Sequence, residues 1–77
     1  MIIQEGRLWG PFRGYSDQRV RFTFTRGGTW RQNERKYLYH FLYNPRAQVI
    51  KEEGRYYLEI RGLNERVEIV RDHSKAH

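Results

Sequence analysis

The sequence predicts an all-β domain: a small antiparallel sheet of five or six short strands, curled into a barrel-like shape. Three observations predict it. Apolar and polar residues alternate with a period of two along much of the chain, as in half-buried strands. Glycine, proline and asparagine break these runs at intervals of about 8–12 residues, the spacing of turns in small β-domains. Aromatic residues make up 16% of the chain, and rings favour strands over helices.

Each element follows from its residues. Residues 2–9 alternate imperfectly, with a bulge expected near Gly6. "GPFRGYSDQ" at 10–18 holds two glycines and a proline and reads as an irregular loop. "RVRFTFTR" at 19–26 is the clearest strand. It has Val20, Phe22 and Phe24 on one face and Arg19, Arg21, Thr23 and Thr25 on the other. Gly27 and Gly28 make a two-residue hairpin turn, because glycine reaches positive φ without a Cβ clash. Thr29, Trp30 and Arg31 begin the returning strand, and "QNER" at 32–35 is polar connection.

"KYLYHFLYNP" at 36–45 fits two periods. As a strand, Tyr37, Tyr39, Phe41 and Tyr43 share one face, and Leu38, His40 and Leu42 share the other. As a short helix, Asn33 caps it, and Tyr37, Leu38, Phe41 and Leu42 line one side. The rings and the lack of alanine favour the strand. Either the leucine face is the core and the tyrosines are partly exposed, or the ring face is the core. Phe41 weighs towards the ring face being inside. Beyond Asn44-Pro45-Arg46, strands are expected at 47–51, around Tyr56, Leu58 and Ile60, and around Val67 and Ile69. The turns between them fall at Glu52-Glu53-Gly54 and at 62–65. The pattern of short strands and turns is similar to SH3-like and OB-like barrels, a likeness that carries no function.

Seventy-seven residues leave room for one domain, placed at 1–71, with 72–77 as a flexible tail. There is no cysteine, so no disulfide or thiolate chemistry is available. No apolar run is long enough to span a bilayer, and "MIIQEGRLWG" lacks the charged-then-apolar order of an export signal. A cytoplasmic location is the expectation. Catalysis is not expected: there is no nucleophile motif, no phosphate-cradling loop and no evident carboxylate pair. Neither a cofactor nor a metal is expected, since His73 and His77 are four apart only in a short terminal segment.

Charge points to binding. The net charge is +6, with 12 arginines against 3 lysines. Arginine presents a planar fork to phosphate or carboxylate and stacks on rings. Most of the excess lies in residues 1–38. The expected contact residues are Arg13, Arg19, Arg21, Arg26, Trp30, Arg31, Tyr37 and Tyr39, with Trp30 alternatively plugging the barrel. Such a set suits single-stranded DNA or RNA, where rings stack bases and cations hold phosphates. An acidic protein partner recruits the same residue types and is the alternative. A symmetric dimer burying the ring face is a further expectation.

Overall fold

Residues whose apolar side chains alternate in the sequence are those whose burial alternates in the folded chain. In the computed structural model, which describes residues 1–72, eight strands form and no helix does. Accordingly, no helix long and apolar enough to cross a membrane occurs among the described residues. The strands are β1 (Ile2–Arg7), β2 (Pro11–Tyr15), β3 (Arg21–Thr23), β4 (Thr29–Gln32), β5 (Leu38–Tyr43), β6 (Arg46–Glu52), β7 (Arg55–Ile60) and β8 (Arg66–Arg71). All pairings are antiparallel.

Six strands make one sheet in the order β1-β6-β7-β8-β4-β3, and β2 and β5 make a separate two-stranded ribbon. The large sheet curls until its edge strands touch. Leu8 bridges Phe24, the Trp9 N–H donates to Thr23 O at 2.7 Å, and the Thr25 N–H donates to Arg7 O at 2.9 Å. The inner face carries Val49, Leu58 and Val67 in one cross-strand row, all sealed from solvent. Leu8, Phe22, Phe24, Trp30, Ala47, Ile60 and Ile69 add to this part of the core, and the ribbon adds Phe12 and Tyr15. These rings meet edge-on, with Phe12 and Tyr15 centroids 5.8 Å apart at 80°, a favourable aromatic geometry.

The strand reading of residues 36–43 holds, but its faces are the reverse of the favoured expectation. Leu38 and Leu42 pack on the core, and the ring face points to solvent. Four other expectations need correction. Residues 11–15 are a strand and not a loop. The irregularity in β1 lies between Ile2 and Gln4, not at Gly6. The strand expected over 19–26 is only Arg21–Thr23, and its hairpin loop is longer than Gly27-Gly28, since Thr23 pairs with Thr29. Asp72 is not part of a tail: its N–H donates to Thr29 O at 3.1 Å, and its carboxylate accepts from Arg21. The rest of the expected tail, with His73 and His77, lies outside the described residues.

Two turns show the local logic. Glu53 and Gly54 both have positive φ, 52° and 81°, and join Glu52 to its partner Arg55 as a two-residue hairpin turn of the primed kind. In β2, Phe12 and Tyr15 are both buried although three residues apart, which strict alternation forbids. Gly14, at φ 104°, absorbs the mismatch, and the β2–β5 register shifts between Phe12 and Gly14.

Candidate functional site

Alternation along β5, together with the leucines it buries, fixes where its rings go. With Leu38 and Leu42 held against the core, Tyr39, Phe41 and Tyr43 must face outwards, and Tyr37 just before the strand follows suit. Tyr37 is 71% exposed, Tyr39 77%, Phe41 52% and Tyr43 68%. Four neighbouring rings in water are unusual for a domain that needs apolar burial to fold. On the partner strand, Pro11 stands opposite Tyr43, and Arg13 stands opposite the His40–Phe41 step. Arg13 is exposed, and no carboxylate of the described residues forms an ion pair with it.

Cations also flank the Tyr43 end. Arg7 and Arg46 face each other across β1 and β6, and Arg7 Nη1 donates to Asn44 O at 3.0 Å, beside Tyr43. Asn44 closes this end with φ 47°, its Oδ1 accepting from the Gly10 N–H and its own N–H donating to Gly10 O. Between the ribbon and β3 runs a groove of about 340 Å³. Trp9, Pro11 and Arg13 line one side, Arg21 and Thr23 the other. Trp9, 73% exposed, stands at its mouth.

The expected contact residues divide. Tyr37, Tyr39 and Arg13 come together on the ribbon. Arg21 reaches the groove, but Asp72 pairs with it. Arg19 is exposed and bound to Asp17 at 2.9 Å, which holds the Asp17 carboxyl below its usual range. Arg26 sits in the β3–β4 loop, and Arg31 lies opposite Arg21 on the outer face of that hairpin; neither has an ion-pair partner among the described residues.

Trp30 offers no surface to a ligand. It is 0% exposed, its indole N–H donates to Gln4 Oε1 at 3.1 Å, Tyr56 packs at 5.2 Å and the Arg71 guanidinium caps its ring at 4.5 Å. Its inward position follows from its place opposite Phe22, which faces the core. Phe41, Tyr43 and Trp9 are not among the expected contact residues, although Phe41 and Tyr43 are expected on the ring face. The first two share the parity of Tyr37 and Tyr39, a signal present in the sequence. For Trp9 the sequence held no clear signal, because residues 2–9 do not alternate cleanly.

A larger concavity, about 740 Å³, opens on the outer face of β1, β6, β7 and the β7–β8 turn. Its charges cancel: Glu5, Glu59 and Glu65 stand among Arg46, Arg61 and Arg66. Arg66 is further engaged by Glu52 at 2.9 Å and by the Tyr57 ring at 4.2 Å, and Glu52 is held below the usual carboxylate range by that contact. Among the described residues, uncancelled cations and uncovered rings coincide at the ribbon. No protein-family model matches the chain, and no curated protein or solved structure matches it.

Proposed function

We propose that the domain is a non-catalytic binding module whose ribbon face holds single-stranded nucleic acid. The observation that carries this reading is the outward row of Tyr37, Tyr39, Phe41 and Tyr43 beside Arg13. Rings two residues apart on a strand repeat every ~7 Å. That is about twice the 3.4 Å step between bases along one duplex strand. One base per ring therefore requires an unstacked, extended strand, and a duplex presents no base faces to the row. Arg13, with Arg7 at the Tyr43 end, supplies cations for the phosphates. The net charge of +6 adds long-range attraction. The edge contact at Leu8 and Phe24 supports reading the curled sheet as a small barrel with the ribbon laid against it.

Fluorescence anisotropy with a labelled single-stranded oligonucleotide and with its duplex, at low salt, tests the proposal. The expected result is preference for the single strand. Tyr39→Ala should weaken binding by about 1–3 kcal/mol, roughly 5- to 150-fold. Trp30, being buried, gives no usable binding variant. Equal affinity for single strand and duplex, or no effect of Tyr39→Ala, refutes the ring-stacking role. Competition by polyglutamate as strong as by oligonucleotide transfers the reading to an acidic protein partner.

A further inference from the structure

The outward face of β5 is one surface; its edge is another. β5 pairs with β2 on one side, and among the described residues no strand pairs with its other side. Proteins usually blunt such edges with charge, proline or a bulge. β2 carries Pro11 and Arg13, but the segment 37–43 has no lysine, arginine, carboxylate or proline. Its burial alternates regularly apart from His40, because Gly14 of β2 takes up the register shift. The edge is thus open and carries no lysine, arginine or carboxylate.

The segment also reads nearly the same in both directions. "YLYHFLY" has Tyr37 and Tyr43 at its ends, Leu38 and Leu42 next, Tyr39 and Phe41 next, and His40 at the centre. A two-fold axis pairs a strand with itself antiparallel, so it demands this kind of self-complementarity. With the axis at His40, Tyr37 meets Tyr43 of the second copy, Leu38 meets its Leu42, and Tyr39 meets its Phe41. Every pair joins residues from the same face, which a register shifted by one would not do.

We infer that β5 pairs edge to edge with β5 of a second copy of this chain, about a two-fold axis at His40. The product is a four-stranded sheet, β2-β5-β5-β2, with eight rings on one face. This inference is independent of what the ring face binds. Side-chain area limits its strength. All eight rings stay on one solvent-facing face, so pairing covers only the flanks of facing side chains, well short of the about 800 Å² per partner of a stable complex. Association is therefore reversible and concentration-dependent. Because each copy carries +6, added salt strengthens it, whereas salt weakens nucleic-acid binding.

Sedimentation velocity on the nuclease-treated protein over a wide concentration range tests the inference. The exposed position of His40 lets it be changed without disturbing the core. The wild type is expected to shift from monomer to dimer with concentration, more readily at higher salt. His40→Lys sets two cations against each other at the axis and should abolish the dimer. Mixing His40→Lys with His40→Glu should restore a dimer of one copy of each. A wild type that stays monomeric at every concentration, a His40→Lys protein that dimerises as well as the wild type, or a mixture that does not recover overturns the inference.

Discussion

Gln32 is the buried polar side chain of the core, and its amide joins segments that share no strand pairing. Its Oε1 accepts from the Ser16 N–H at 3.0 Å, and its Nε2 donates to Ser16 O and Glu34 O at 2.7 Å and to Lys36 O at 3.2 Å. It thus fixes the chain just after β2 and the connection leading into β5, so it positions the end of the ribbon where Tyr15 pairs with Leu38. Gln32→Leu keeps the volume but leaves these backbone groups without their partner. It should destabilise the fold by about 2–4 kcal/mol, read as a lower urea midpoint at unchanged slope. Tyr15 acts at the same end. Its hydroxyl donates to Glu65 O at 2.9 Å, and burial pushes its phenol well above the ordinary value, helped by the carboxylates of Glu65, Glu59 and Glu34. A raised folded-state value means the folded chain keeps a proton that the unfolded chain loses near pH 10. Stability from this group is full below pH 10 and is lost as pH rises further. Urea titrations between pH 9 and pH 11 should show Tyr15→Phe losing less stability over that interval than the wild type.

At the scale of the element, the ribbon depends on Gly14. Its φ is 104°, and a Cβ there would stand 1.9 Å from the Leu38 carbonyl oxygen, which belongs to backbone and cannot step aside. Gly14→Ala should cost about 3 kcal/mol or more and separate β2 from β5. Gly28→Ala, also at positive φ but facing open space, should cost only about 1 kcal/mol. Thermal melts of the two variants make the comparison. The same glycine explains why β2 was not legible in the sequence. Its positive φ breaks the alternation that reveals strands, and the partner of β2 lies far along the chain in β5. The inward positions of β7 and β8, at Leu58, Ile60, Val67 and Ile69, were legible because nothing interrupts their period. The ring row of β5 was legible as a row but not as a surface. Alternation gives two faces without saying which is inside, and the core that decides it comes from residues distant in sequence.

At the scale of the molecule, two of the cations expected to make contact are neutralised by carboxylates, whereas Arg13, Arg26 and Arg31 have no ion-pair partner among the described residues. Arg19 in the turn before β3 and Arg21 in β3 are answered by Asp17 and Asp72. Asp72 comes from the far end of the chain, so no local reading of the hairpin could include it. The uncancelled cations that matter to the proposal flank the ribbon instead. Single-strand affinity should therefore fall with salt, and Arg13→Ala should flatten the log–log slope by about 0.7, one phosphate contact. Arg19→Ala should leave that slope nearly unchanged.

Backbone amide shifts on titration with a single-stranded oligonucleotide at low salt test the central claim most directly. The account predicts that the largest changes fall in Tyr37–Tyr43 and on Phe12, Arg13 and Gly14, with β6–β8 little moved. Shifts centred on the trough around Glu59 and Arg66, or none anywhere, would contradict it.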